Sequence, residues 1–231
     1  GIHMACKFYQ VDLIGGDTTS SKAGLVISVT AMGTVEKDKI AYRSGAGEND
    51  LVCVTGDLGA AYVGLQVLER EHAVFKENPN MQPDLEGMDY ILERQLKPEA
   101  GKGLVELFKE NNLVPTSMID VSDGLASELI HLSKASGRGI TIYGDKIPVD
   151  HVTAKVAEDF NLSPTVAALN GGEDYELLFT MPLTSYEKLK HIPEIRMLGH
   201  VTGEGEGVYM ADQAGNKITL EAQGWNAFKG E

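Results

Sequence analysis

The amino-acid sequence predicts an α+β fold, in which a mixed β-sheet is packed by helices. Predicted strands and helices follow one another without the strict alternation of a doubly wound α/β sheet. Short β-branched runs bounded by glycine indicate strands, and apolar residues every three or four positions indicate helices. The 231 residues suffice for one large domain, or for one domain and part of another.

The predicted strands are short apolar runs separated by turn residues. Two lie near the amino terminus, at residues 11–14 and 25–32. The others follow in the body of the chain, at residues 51–55, 117–121, 139–143, 176–180, 196–201, 208–210 and 217–220.

The clearest predicted helix has an apolar stripe through Leu125, Leu129 and Leu132 and ends at Gly137. Ser122 is a plausible N-cap for it. Further helices are predicted at residues 60–70, 90–96, 102–111, 152–159 and 185–191.

The amino terminus predicts a truncated chain. Residues 1–4 are typical of an expression scar, and residues 5–10 have the pattern of the last turn of a helix. A helix of under two turns is not stable alone, so we expect its earlier turns to be missing. Gly, Glu, Lys and Asn cluster at residues 35–50, which predicts a domain boundary there. We therefore divide the chain into residues 1–4, 5–36 and 37–231.

The composition excludes several classes of function. Asp and Glu total 34 against 20 Lys and Arg, a net charge of −14 that argues against nucleic-acid binding. No run approaches the roughly 18 apolar residues of a membrane span. Two cysteines without metal-site spacing indicate neither a disulfide framework nor zinc, which fits the cytoplasm. Any phosphate chemistry would therefore rely on divalent cations.

Two carboxylates lie at a predicted strand-to-helix junction with the sequence Asp120-Val121-Ser122-Asp123-Gly124. Hard oxygen ligands at this spacing can bind Mg²⁺, and the adjacent helix N-terminus favours phosphate oxygens. Alternatively, Asp123 only complements the dipole of the following helix.

A second glycine-containing motif, Gly15-Gly16-Asp17-Thr18-Thr19, follows the predicted strand at 11–14. Its glycines allow the backbone to approach a phosphate while Asp17 faces a cation. A plain turn followed by a surface loop is the alternative.

A third motif, Gly171-Gly172-Glu173-Asp174-Tyr175-Glu176, places three acids just before an apolar strand. Such a cluster could hold a cationic or hydrogen-bonding ligand, or it could form a solvated turn.

Three weaker signals are a guanidinium, a turn and an aromatic ring. Arg43 could pair with nucleotide phosphates or lie on the surface. The turn at residues 56–59 matches no phosphate-binding motif and reads as a tight turn. Trp225, the only tryptophan, could stack on a flat heteroaromatic ligand or anchor the tail.

The order and spacing of four motifs resemble the thiamine-monophosphate kinase family. The motifs are LIGGDTT at 13–19, YRSGA at 42–46, IDVSDGL at 119–125 and NGGEDYELLFT at 170–180. The resemblance covers residues 5–231 and places the chain in the aminoimidazole ribonucleotide synthetase-like superfamily. It implies a C-terminal α+β domain of that superfamily, preceded by a remnant of the N-terminal ATP-binding domain at 5–36.

The resemblance also implies an activity and a set of site residues. The activity is ATP-dependent, Mg²⁺-dependent phosphorylation of thiamine phosphate to thiamine diphosphate, in a homodimer. Gly16, Asp17, Arg43 and Ser122 would bind ATP. Asp17, Asp120 and Asp123 would hold magnesium, with Asp120 and Asp123 catalytic. Glu173 and Trp225 would face thiamine.

The sequence departs from the family pattern at its beginning. The family's Gly-Asp-Asp metal motif and Asn-Leu-Ser-Asp helix start have no counterpart here, so we expect the chain by itself to be inactive. Two alternatives remain: another ATP-dependent superfamily member, such as selenophosphate synthetase, or a non-catalytic ligand-binding fragment.

Overall fold

A computed structural model describes residues 1–101 and 103–222. The chain divides into two compact units, Gly1–Asp38 and Lys39–Glu231. The structural division follows Asp38, two residues after the predicted boundary. The assignment of residues 5–36 to an ATP-binding domain stays a prediction.

The first unit contains one helix, α1 at Ile2–Tyr9, followed by an extended segment without helix or strand. The prediction that residues 5–10 end a helix is confirmed: Gln10 has a left-handed conformation, and its N–H donates to Cys6 O. The helix begins at Ile2, so it includes most of the residues predicted to be an expression scar.

The strands predicted at 11–14 and 25–32 are wrong, since neither segment is a strand in the structure. Their apolar side chains are exposed, with Ile14 at 78% and Leu25 at 89%. A strand requires a neighbouring strand for its backbone groups and a surface for its side chains, and these segments have neither within the first unit. High β-propensity is therefore not sufficient to make these two segments strands.

The second unit is the predicted α+β domain. Its strands are β1 Leu51–Thr55, β2 Ser117–Asp120, β3 Ile140–Tyr143, β4 Leu177–Met181, β5 Ile195–Val201, β6 Val208–Ala211 and β7 Lys217–Thr219. Its helices are α2 Ala60–Glu77, α3 Asp89–Leu96, α4 Leu104–Glu110, α5 Leu125–Ser136, α6 His151–Asp159, α7 Pro164–Asn170 and α8 Tyr186–Leu189. Two short 3-10 helices lie at Gly144–Lys146 and Leu183–Ser185.

The seven strands form one mixed sheet in the order β2-β4-β1-β5-β3-β6-β7. All neighbouring pairs are antiparallel except β3 and β6, which are parallel. The register pairs Asp120 at the end of β2 with Leu177 at the start of β4. The loop after β2 and the loop before β4 therefore lie at the same edge of the sheet.

The core lies on both faces of the sheet because the strand side chains alternate. Val52 and Val54 of β1 pack in the cluster that contains Leu125 and Leu129 of α5. Cys53, between them in sequence, packs in the opposite cluster with Phe179. A third cluster joins α2, α3, α6 and α7.

The predicted helix through Leu125, Leu129 and Leu132 is confirmed, with these three residues fully buried and Gly137 left-handed at its end. The prediction of Ser122 as its N-cap is wrong, because the helix begins at Leu125 and Gly124 lies at the N-cap position. Helix α7 was missed by sequence analysis, although Ser163 at its N-cap position and Pro164 at its first position are the expected start signal. None of the described helices is both long and apolar enough to cross a bilayer.

Candidate functional site

Two loops meet at the edge of the sheet and form the candidate site. One is the β2–α5 loop at 121–124, and the other is the α7–β4 loop at 171–176. The N–H of Glu173 donates to Ser122 O at 2.7 Å, and that of Tyr175 donates to Val121 O at 2.9 Å. The N–H of Val121 donates in return to Glu176 O at 2.8 Å. These backbone hydrogen bonds fix the two loops against each other.

Two glycines allow this close approach. Gly124 has φ +98°, and a Cβ there would lie 2.7 Å from Leu169 O. Gly172 has φ +71°, and a Cβ there would lie 2.5 Å from Ser122 O. Each position combines a backbone conformation that favours glycine with a contact that excludes a side chain. The small residues in both motifs are therefore required by the loop packing.

The loops present a rim of acidic side chains, which we call the carboxylate rim: Asp120, Asp123 and Glu173. Asp120 is half-buried, whereas Asp123 and Glu173 are exposed. The Tyr175 hydroxyl donates to Glu173 Oε2 at 2.9 Å. This hydrogen bond, followed by partial burial and the charges of the three rim carboxylates, raises the pKa of Tyr175. All three rim charges thus act on one phenol, which places them in one neighbourhood.

A buried carboxylate lies beneath the rim. Glu128 of α5 is 2% exposed and accepts a hydrogen bond from the N–H of Asp123 at 3.2 Å. Burial raises the pKa of Glu128, the Asp123 N–H opposes that rise, and the charges of Asp123 and Asp120 add to it. Glu128 therefore fixes the backbone at Asp123.

A second group of polar side chains joins the α7–β4 loop to α3 and to the end of β1. We call it the Arg94 network, and its members are Thr55, Asp57, Tyr90, Arg94, Asp174 and Glu176. Arg94, on α3, donates from Nη1 to Glu176 Oε1 at 2.9 Å. Its Nη2 donates to Asp57 O at 3.1 Å and to Asp174 O at 3.2 Å. One guanidinium thus links α3 to the β1–α2 turn and to the α7–β4 loop.

Asp174 is the most deeply buried carboxylate of the Arg94 network, at 2% exposed. Its Oδ2 accepts from the N–H of Gly59 at 2.8 Å, and Arg94 Nη2 lies 3.9 Å from its Oδ1. Burial raises the pKa of Asp174 to about 7, although the Gly59 hydrogen bond and the Arg94 charge oppose that rise. Desolvation therefore outweighs the contacts that stabilise the charged form of Asp174, which also include the N–H of Ala61.

The remaining members complete the network. Thr55 Oγ1 donates to Glu176 Oε2 at 2.5 Å and accepts from the N–H of Leu177 at 2.9 Å. The Tyr90 hydroxyl donates to Asp57 Oδ2 at 2.6 Å. Burial, followed by this hydrogen bond and the charge of Asp57, raises the pKa of Tyr90. Tyr90 therefore stays a neutral donor.

Sequence analysis missed the Arg94 network. Arg94 and Tyr90 lie on a helix whose sequence carries no motif, so only the structure reveals their contacts. A usable signal did exist in Glu173-Asp174-Tyr175-Glu176, because strand-like alternation predicts that every second side chain shares a face. Asp174 is buried and Glu176 half-buried, whereas Glu173 and Tyr175 are exposed.

The structure brings Asp120, Ser122, Asp123 and Glu173 together. Gly16 and Asp17 lie exposed in the first compact unit, where Asp17 Oδ1 accepts from the N–H of Thr18 at 2.8 Å.

The structure does not place the other two predicted binding residues, Arg43 and Trp225, at the two loops. Arg43 is exposed and follows Tyr42, whose carbonyl accepts from the N–H of Met118 in β2 at 2.8 Å. Trp225 lies outside the described residues.

Carboxylates of the rim fit magnesium only as a partial ligand set. Within residues 1–101 and 103–222, no three His, Cys, Asp or Glu side chains are arranged to hold a metal ion. Mg²⁺ at phosphate-transfer sites is held by one or two carboxylates, with substrate phosphates and waters as the other ligands. Asp120 and Asp123 could supply two such carboxylates.

A cavity of about 550 Å³ lies away from these loops, between β5, α8 and the end of β3. Its lining includes Tyr143, Tyr186 and Arg196 and none of the predicted site residues. The motif residues converge at the two hydrogen-bonded loops and not at this cavity.

Comparison with known proteins gives a consistent set of relatives. No family model matches the chain. The thiamine-monophosphate kinase of Bacillus subtilis strain 168 is 34% identical over 99% of this chain and 68% of its own length. That of Aquifex aeolicus is 32% identical over 99% of this chain and 67% of its own length.

Solved structures agree with the sequence relatives. The structure of AaThiL complexed with AMPPCP and TMP is 28% identical, has a TM-score of 0.74, and is matched over 98% of this chain and 66% of its own. The hydrogenase maturation protein HypE of E. coli, at 18% identity, shares the fold with a TM-score of 0.58, over 80% of this chain and 54% of its own. The chain thus spans about two thirds of the length of its curated relatives.

Proposed function

The chain belongs to the thiamine-monophosphate kinase family, and on that premise we propose that the protein transfers the γ-phosphate of ATP to thiamine phosphate, giving thiamine diphosphate and ADP. The observation that carries this proposal is the meeting of Asp120, Asp123 and Glu173 on two hydrogen-bonded loops. Two motifs about fifty residues apart in sequence thereby form one acidic surface beside a helix N-terminus.

Transfer between two phosphates depends mainly on positioning and on neutralising charge. The attacking group is a phosphate oxygen of thiamine phosphate, which is largely ionised near neutral pH because its second pKa is about 6. A strong general base is therefore not needed, and the rim carboxylates need not accept a proton. We propose direct in-line transfer without a phosphoenzyme.

We propose that Asp120 and Asp123 hold Mg²⁺, which would neutralise phosphate charge when bound. The N–H of Asp123 is fixed by Glu128, which limits the movement of the adjacent carboxylate. Asp17 is the further magnesium ligand implied by the family resemblance. Gly16, Arg43 and Ser122 would contact ATP.

Glu173 is proposed to face the thiamine moiety. Its carboxylate is exposed, and the Tyr175 hydroxyl orients it. A carboxylate at this position complements the positive thiazolium ring of thiamine, and Trp225 would supply an aromatic surface for the same ligand. A cytoplasmic location and a homodimeric state complete the proposal.

The test is formation of thiamine diphosphate from ATP and thiamine phosphate by the intact protein, with selenide as the control substrate. Calorimetric titration of the 231-residue chain with ATP–Mg²⁺ and then thiamine phosphate, before and after Asp120→Ala, examines the site directly. Turnover with selenide alone, or a chemically stable phosphorylated residue during turnover, would overturn the proposal.

A further inference from the structure

The α7–β4 loop adopts a backbone conformation that its own sequence does not favour. Glu173 has φ +62° and Tyr175 has φ +52°, both in the left-handed region, and neither is glycine. Residues other than glycine are strained in this conformation and keep it only where the surrounding structure holds them. The side chains that result point alternately outward at Glu173, inward at Asp174 and outward at Tyr175.

The contacts that hold this turn come from outside the loop. The buried Asp174 carboxylate accepts from the N–H of Gly59, and the Asp174 carbonyl accepts from Arg94 Nη2. Glu176, at the end of the turn, is bound by Arg94 Nη1. Arg94 therefore contacts the loop on both sides of Tyr175.

Arg94 is itself fixed on a rigid element. Its helix, α3, packs on α2 so closely that a Cβ at Gly64 would lie 2.1 Å from Ile91 O. Ile91, one turn before Arg94, is fully buried. The guanidinium thus projects from a firmly packed helix toward a turn that requires external support.

We propose that Arg94 is a positioning residue for the thiamine phosphate side of the site, because its guanidinium holds the 173–175 turn that presents Glu173. This inference rests on the proposed function. A planar guanidinium can bind a carboxylate and two carbonyls in fixed directions, whereas a lysine ammonium cannot reproduce that geometry.

The proposal predicts a selective effect. In the described part of the chain, the side-chain hydrogen bonds of Arg94 go to Asp57, Asp174 and Glu176, and not to Asp120 or to the β2–α5 loop that carries Asp123. The turn carries Glu173 itself, whereas the β2–α5 loop is also held by the hydrogen bond from the Asp123 N–H to Glu128. Loss of the guanidinium should therefore weaken thiamine phosphate binding more than nucleotide binding. A general loss of structure would weaken both.

The experiment compares wild type, Arg94→Lys and the control Arg138→Lys in the 231-residue chain. Arg138 is an arginine with a 3.6 Å ion pair to the exposed Glu204, away from both loops. Calorimetry measures the affinity for thiamine phosphate and, separately, for an ATP analogue with Mg²⁺. Hydrogen exchange of the peptide covering residues 170–177 reports the order of the turn without any ligand.

For Arg94→Lys we expect about tenfold weaker thiamine phosphate binding, nucleotide affinity within about twofold, and faster exchange at residues 173–177. The control should match wild type in all three measurements. Equal loss of both affinities, or unchanged exchange in the turn, would overturn the proposal.

If Arg94→Lys does not fold, Glu176→Gln removes the charge pair while the Thr55 hydroxyl keeps an acceptor, and the same results are expected. Absence of thiamine phosphate binding by wild type would contradict the substrate assignment instead. Hydrogen exchange in the variants would still decide whether Arg94 orders the turn.

Discussion

The carboxylate rim and the Arg94 network both contain Asp and Glu side chains, but these carboxylates differ in solvent exposure, and this difference separates their roles. Two of the three rim carboxylates are exposed, so water solvates their charges and they are available to a ligand. In the Arg94 network the carboxylates are partly or wholly buried and are bound by protein donors. The rim carboxylates can thus bind a ligand, whereas the network carboxylates stabilise the conformation of the α7–β4 loop.

The largest expected effect is on stability, from Arg94→Met. Removal of the guanidinium leaves Asp174 and Glu176 without their cation, and breaking a buried pair in this way costs about 3–5 kcal/mol, toward the lower end here because Arg94 is 19% exposed. Urea denaturation should show this loss. The rim control Asp123→Asn should change the free energy of unfolding by less than about 0.5 kcal/mol, and similar losses in both variants would erase the distinction.

The rim should show the opposite pattern, in which binding falls and stability does not. Asp120→Ala removes a proposed magnesium ligand, and we expect about a hundredfold weaker ATP–Mg²⁺ binding with an unchanged urea midpoint. Asp145→Ala, at an exposed acid after β3, is the control. If Asp120→Ala binds ATP–Mg²⁺ as tightly as wild type, Asp120 is not a magnesium ligand.

Loop packing offers a sharper test, since two glycines with positive φ differ in their surroundings. Gly124 has backbone atoms where a Cβ would lie, whereas Gly137 has no atom within 4 Å of that position. Gly137→Ala should cost about 1 kcal/mol from backbone conformation alone, and Gly124→Ala about 2 kcal/mol or more because the β2–α5 loop must move away from the end of α7. Only Gly124→Ala should also weaken nucleotide binding. Equal costs would mean that the β2–α5 loop is not tightly packed against the end of α7.

The pH dependence of stability should single out Asp174. Its folded pKa of about 7 lies above the ordinary value of 3.8, so the folded state retains a proton that the unfolded state loses. This contribution to stability is complete below about pH 4 and is lost as the pH rises through 7, by at most about 1.4 kcal/mol per pH unit.

Asparagine mimics the protonated side chain, so Asp174→Asn should lose less stability than wild type between pH 5 and 8. Urea titrations at several pH values would measure the difference. A wild type and variant whose stabilities change in parallel would show that Asp174 does not titrate in this range. Asp123→Asn provides the exposed control.

Sequence patterns predicted the second unit well and the first unit poorly, for a physical reason. Strand β1 and helix α5 have strong periodicity, and both are buried where that periodicity indicates. Residues 25–32 also have high β-propensity, but the first unit contains no neighbouring strand with which they could pair. Propensity is local, whereas strand formation depends on a partner that the local sequence does not encode.

The same limit applies to the site. Asp120 and Asp123 lie in a glycine-containing motif where an apolar strand ends, and Glu173 lies in a second such motif just before another strand. These patterns marked the two motifs, and the family resemblance assigned the three residues to one site. Arg94 carries no comparable pattern, and its acceptors are 37 to 82 residues away in sequence. Contacts of this kind follow from the packing of α2 against α3, which sequence periodicity does not specify.

Tyr175 connects the two regions, and it gives the smallest expected effect. It is exposed and lies between two anchored residues of the loop, and its hydroxyl orients the rim carboxylate Glu173. Tyr175→Phe should weaken thiamine phosphate binding about twofold to fivefold, since a hydrogen bond to a charged group at an exposed position contributes about 0.5–1 kcal/mol. Tyr143→Phe is a matched control, because both tyrosines are 40% exposed.

The salt dependence of the affinity change in Tyr175→Phe separates two roles for Glu173. If Glu173 faces the cationic ring of thiamine, loss of the hydroxyl leaves the carboxylate charged but less well oriented, and affinity falls modestly in calorimetry. If Glu173 instead repels a ligand phosphate, the Tyr175 hydroxyl partly masks that charge and its removal should weaken binding more at high pH and low salt. A salt-independent, modest loss therefore supports thiamine contact, and a steeply salt-dependent loss assigns Glu173 to the phosphate side of the rim.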